Sequence, residues 1–135
     1  MPQSAIKPAP IFDPKREILD KLGDLSHVEI AHNEVLLAIY QRPEKTPGGI
    51  ILTNNNLKED VYQGKVGLVV KIGPGCIFKN IVIQLHDWVV TRPSDTWALD
   101  VNGDADTLKR EDFVACRLVY DDQIRLRISN PGIVW

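Results

Sequence analysis

The residues of this chain best suited to chemistry are three histidines, two cysteines and a run of acids, and their spacing argues against most of the chemistry they suggest. His27, His32 and His86 are scattered, none at a ligand interval from another His or Cys, so each reads as a solvated or capping side chain. Cys76 and Cys116 stand forty residues apart with no Cys-x-x-Cys spacing. With no signal-peptide pattern at the start, both are read as reduced thiols in a cytosolic setting. Asp100, Asn102, Asp104 and Asp106 alternate and Glu111 takes the twelfth place, which echoes a calcium loop. In this run, however, the glycine is fourth rather than sixth and no helices flank it, so Asn102-Gly103 is better explained as a hairpin turn among solvated acids. Gly73-Pro74-Gly75 lacks both the Gly-x-x-x-x-Gly-Lys-Ser/Thr spacing and the following helix of a phosphate cradle, and reads as a turn. Ser, His and Asp occur without a nucleophile elbow. Neither catalysis, a metal nor a cofactor of its own is expected. What remains is binding, and one stretch is built for it: Gly48-Gly49-Ile50-Ile51-Leu52, followed by Thr53 and three asparagines. Glycines loosen one side and turn formers the other. The branched triplet between them is either a short edge strand tucked under the core or a hook for another protein.

Composition narrows the partners. A net charge of -2 with 44% hydrophobic and 25% charged residues is that of a soluble domain with no polyanion partner, so nucleic acid is not expected. No apolar run approaches the ~18 residues of a membrane span, so no membrane is expected either. At 135 residues the chain is one domain with room for extended ends.

The elements that position the hook are mostly strands. Residues 1–27 comprise a proline-rich arm and a short amphipathic helix, with Asp13-Pro14 as cap and first turn, Ile18, Leu19 and Leu22 as its apolar stripe, and Gly23 as its end. That helix either plugs one end of the domain or reaches a neighbouring subunit. From Val28 to Tyr40 the pattern is strand. In Val35 to Tyr40 both alternating faces are apolar, so the strand is covered on both sides, by the barrel interior and by a second layer or another chain. Val66, Leu68, Val70 and Ile72 alternate as one face of a further strand. Ile77 to Ile83, Trp88 to Thr91, Trp97 to Leu99 and Phe113 to Tyr120 follow as apolar strands. Asp121-Asp122 reads as a two-residue turn that folds Gln123 to Ile128 back as a hairpin. Many short strands between turns give an all-β barrel or sandwich.

Several of these segments, in this order, resemble the GroES-type co-chaperonins. They are Val35 to Tyr40, the charged segment after it, Gly48 to Leu52, Gln63-Gly64-Lys65-Val66, and Ile72-Gly73-Pro74-Gly75. Asp87-Trp88-Val89-Val90 and Arg110-Glu111-Asp112-Phe113-Val114-Ala115 continue the likeness. The resemblance covers roughly residues 28 to 119. It implies a GroES-like, partly open β-barrel over residues 28–120, with a mobile loop over 43–63 and a C-terminal extension over 121–135. It also implies a homo-oligomer, in the family a ring, that lids a GroEL-type chaperonin and assists protein folding, while the partner binds the ATP. Gly48, Gly49, Ile50, Ile51 and Leu52 fall on the family's chaperonin-binding loop. In the family the closing strand pairs with the first strand of the next subunit, which places Val35, Leu37, Ile39, Phe113, Ala115, Ile124 and Leu126 at a subunit interface.

The chain departs from the family in three places. The stretch between Gly75 and Asp87 is too short for a long roof hairpin, as in phage-encoded members. His86 stands where glycine is usual. The arm and the tail are additions, and they fit an alternative role as a phage virion protein, a capsid decoration or cement component that reuses the fold among other virion proteins.

Overall fold

The computed structural model describes residues 13–41, 65–103, 109 and 112–134. Among them one helix, α1 (Pro14–Leu22), precedes six strands: β1 (Glu34–Ile39), β2 (Val66–Ile72), β3 (Trp88–Thr91), β4 (Trp97–Val101), β5 (Val114–Tyr120) and β6 (Ile124–Ile128). The strands form one sheet in the order β4-β5-β1-β2-β3-β6, with every neighbouring pair antiparallel.

The helix forms where its signals stand. The Asp13 side chain accepts the Arg16 N–H at 3.3 Å, proline occupies the first turn, and Gly23 at φ +74° sends its N–H back to the Leu19 carbonyl at 3.0 Å. Its stripe is turned onto the chain's own core: Leu22 is buried, with Ile18 and Leu19 packed beside it. Of the two roles open to the helix, this is the plug. The helix end is closed by Gly103, whose N–H bonds the Leu22 carbonyl at 3.0 Å, so close that a Cβ there would overlap that oxygen.

Both faces of the sheet are apolar and both are covered. On one face Leu36, Ala38, Leu68, Trp88, Val114 and Cys116 form a cluster that also gathers Leu99 from β4 and Ile128 from β6. Edge strands meeting one core is the packing of a sheet curled into a partly open barrel. On the other face Val35, Leu37, Val69, Val89 and Val119 pack with Ile83, under Cys76, Phe78 and Ile124. The double covering expected for β1 is therefore supplied by a second layer of the same chain.

Four local expectations are corrected. The sheet begins at Glu34 rather than Val28, because the chain turns just before it, with His32 at φ +53°. Ile77 to Ile83 is not a strand. Its backbone is bonded by side chains instead: the Asp121 carboxylate accepts the Ile77 N–H at 2.6 Å, and Arg127 Nη1 donates to the Val82 carbonyl at 2.8 Å. Ile72 does not share the face of Val66, Leu68 and Val70; a bulge in the β1–β2 register turns it toward the second cluster. Finally, β6 is no hairpin partner of β5. A strand has two edges, and those of β5 are taken by β1 and β4, so a short 3-10 turn at Asp121–Gln123 carries β6 across to β3.

His86, at φ +71°, sits in the left-handed region that glycine enters freely, which accounts physically for glycine being the usual residue there. The turn holds it: the His86 N–H donates to the Val69 carbonyl at 2.7 Å, and the Asp87 carboxylate accepts the Gln84 N–H at 2.8 Å. Relief of about 1–2 kcal/mol of backbone strain, less about 0.5–1 kcal/mol of added chain entropy, predicts that His86→Gly stabilises the fold by up to ~1.5 kcal/mol. The check is a rise in urea midpoint at unchanged slope.

Candidate functional site

The residues that flank the segment carrying Gly48 to Leu52 are adjacent strand ends. Ile39 of β1 lies opposite Gly67 of β2, and just beyond them the Tyr40 N–H donates to the Val66 carbonyl at 2.9 Å. A third strand ties the base: the Thr91 N–H donates to the Lys65 carbonyl at 2.9 Å. The Tyr40 ring stands edge-on to Trp88, with centroids 5.6 Å apart and planes at 81°, an arrangement that favours aromatic pairs. Gly67 allows the close approach, since a Cβ there would lie 2.9 Å from Leu37 Cβ. The described ends of the segment, at Tyr40 and Lys65, are therefore fixed by hydrogen bonds and by an aromatic pair in which Trp88 is buried and Tyr40 half-buried. Gly48, Gly49, Ile50, Ile51 and Leu52 themselves lie outside the described residues.

The expected interface positions divide. Val35, Leu37 and Ile39 are buried in the chain's own core, and β1 is bonded on both sides within the chain. Phe113 and Ala115 are half-buried near the start of β5, as is Ile124 on β6, while Leu126 is 48% exposed.

A groove of about 720 Å³ opens beside the second cluster, floored by Phe78, Ile83 and Ile124 and rimmed by His32, Lys79 and Asp121. Asp121 clasps its walls together. Its carboxylate accepts from Asn33 Nδ2 at 3.0 Å and from the Ile77 N–H at 2.6 Å, and its own N–H donates to the Asn33 carbonyl at 3.0 Å. Sequence reasoning saw only a turn in this residue; no local signal announces partners 88 and 44 positions away. Desolvation pushes its carboxyl up, but the hydrogen bonds from Ile77, Asn33 and the local backbone together outweigh it and hold the group below the usual range. A depressed folded pKa gives stability that is present above about pH 4 and lost as pH falls through the folded value. Asp121→Asn is therefore expected to destabilise the fold at pH 7, with the gap from the native protein closing as pH falls through the lowered folded value, as read from urea midpoints.

Thiol chemistry has little support. Cys116 belongs to the first cluster and Cys76 packs against the second, on opposite faces of the sheet, and both are free. Burial, with the Asp100 charge adding to it, pushes the Cys116 thiol up to about 12, and burial with Asp121 raises Cys76. Among the described residues no three His, Cys, Asp or Glu side chains are grouped to hold a metal. No helix among them is long and apolar enough to cross a membrane. Asp104, Asp106 and Glu111 of the alternating acids lie outside the described residues.

The family model described as chaperonin 10 Kd subunit matches residues 27–117. The match takes in β1 to β4, the first four residues of β5 and the segment carrying Gly48 to Leu52, and it leaves out α1 and β6. No curated protein matches the chain.

Proposed function

Because the chain belongs to the chaperonin 10 Kd subunit family, the co-chaperonins, we propose that it is a lid for a GroEL-type chaperonin, docking through Ile50, Ile51 and Leu52. Its part is mechanical: it closes the cavity in which a client folds, and the nucleotide stays with the partner, in the cytoplasm. The reading is carried by the loop base. The segment between Tyr40 and Val66 has its two ends held together by one hydrogen bond, and the apolar triplet stands midway along its sequence, which is what a tethered docking segment needs.

The energetics suit a removable lid. Each buried branched side chain contributes about 1.5–3 kcal/mol, and ordering the loop offsets part of it, so one loop binds weakly. Several loops on one oligomer raise the total through effective concentration. Glycines 48 and 49 and the asparagines after the triplet would set the ordering cost. The test is size-exclusion chromatography with light scattering, with and without a bacterial chaperonin and ATP. Co-elution that requires nucleotide supports the lid; a protein that ignores the chaperonin under those conditions overturns it.

A further inference from the structure

The groove beside the second cluster has no part in docking through the triplet, and it stands at the other end of β1. There Glu34 pairs with Tyr120 and Val35 with Ile72, and the Gly75 N–H donates to the His32 carbonyl at 2.7 Å, whereas Tyr40 and Val66 meet where β1 finishes. The connection from Gly75 to Asp87 runs along this groove and carries apolar side chains in both directions. Phe78 and Ile83 turn inward onto the second cluster. Ile77, Val82 and Leu85 are each exposed over more than half their surface, and Ile81 over 37%. Four exposed large apolar side chains in one short connection form a patch, unlike the singly scattered hydrophobics of an ordinary surface.

The backbone of this connection is held at two points and unpaired between them. Asp121 accepts the Ile77 N–H and Arg127 donates to the Val82 carbonyl, but among the described residues the backbone of Phe78, Lys79, Asn80 and Ile81 makes no hydrogen bond. Unpaired donors and acceptors thus lie beside an apolar floor of Phe78, Ile83 and Ile124. An extended polypeptide matches both features at once, since its own backbone supplies the complementary groups while alternate side chains point one way, toward the floor. The rim sets no preference for charge. Asp121 is engaged in its clasp and Arg125 reaches Asp95 at 3.6 Å, which leaves Lys79 and Asp122, one of each sign, outside any ion pair among the described residues. We infer that this groove binds a segment of non-native polypeptide, taken for its apolar side chains and open backbone rather than for its charge. A folded partner cannot offer both, because it keeps its apolar side chains inside and its backbone paired. The site goes beyond the lid reading and needs neither the triplet nor a chaperonin.

Fluorescence anisotropy tests it on the full chain, with a labelled short peptide of alternating leucine and serine as the probe. Saturable binding is expected, weakened about tenfold or more in Ile81→Asp at an unchanged melting temperature. The same peptide N-methylated at alternate residues keeps its side chains but loses half its amide donors, and it should bind far more weakly. No binding by the native chain, or equal binding in Ile81→Asp or with the N-methylated peptide, overturns the site. Should Ile81→Asp fail to fold, Ile77→Asp, at a side chain 68% exposed, gives the same reading. Peptide binding that appears only in Ile51→Asp would make the chain's own triplet the occupant. A native oligomer that falls to single-chain mass in Ile81→Asp would make it a second copy, and either result overturns the polypeptide assignment. With no chaperonin in the assay, its failure leaves the lid reading standing, and a failed co-elution leaves this site standing.

Discussion

Ile51→Asp is expected to abolish nucleotide-dependent co-elution with a GroEL-type chaperonin while leaving the melting temperature of the free protein unchanged. The substitution acts twice on the bound state. It removes the roughly 1.5–3 kcal/mol of a buried branched side chain, and it carries a carboxylate into an apolar groove, where an unpaired charge is costly. Each 1.4 kcal/mol is about a tenfold loss at one site. An oligomer that engages several loops at once compounds that loss, so a measurable complex should disappear rather than weaken. In the free protein the same charge costs nothing if the triplet stands in water. A folded protein that no longer binds is the outcome consistent with the lid. An Ile51→Asp protein that melts early or fails to fold would show the triplet to be core, and the docking assignment would fall with it.

The second large effect is on stability. Trp88 is 5% exposed, pairs with Leu68 of β2 and Ile128 of β6, and packs edge-on against Tyr40 at the loop base. Trp88→Ala should cost about 3–5 kcal/mol by the combined loss of transfer free energy and opening of a cavity. Against a total of about 5–15 kcal/mol for a domain, that is enough to leave a large unfolded fraction. Trp88→Phe keeps a ring against Tyr40 and should lose much less. Urea denaturation of the pair checks the claim, and a loss below ~1 kcal/mol for Trp88→Ala would show that the core does not depend on this side chain.

Local chemistry made much of the fold legible. Asp13-Pro14 and Gly23 bracket the helix because a cap, a first-turn proline and a positive-φ glycine act within one turn of chain. The alternation in Val66 to Val70 and the double apolar face of Val35 to Ile39 survive into the structure because side chains alternate along any extended strand. The triplet at Ile50 to Leu52 reads in the sequence as either a short edge strand or a hook, because an apolar run among glycines, prolines and asparagines has no helical pattern to belong to, and it lies outside the described residues. His86 was legible only as an oddity, and its meaning came from a backbone angle.

What the tertiary structure alone decided depends on which edges and faces were already occupied. The sequence could place β6 after Tyr120 but not choose its neighbour; β5 had both edges filled, so β6 crossed to β3 and left β4 and β6 at the ends of the sheet. Ile72 changes face because a bulge shifts the ladder by one residue, and a bulge belongs to a pair of strands rather than to either one. Asp121 becomes a clasp because chain folding brings Asn33 and Ile77 to it from far along the sequence. Periodicity and capping are properties of a few consecutive residues and can be read in order. Pairing, register and clasping are properties of residues far apart in the chain, and only packing brings those together.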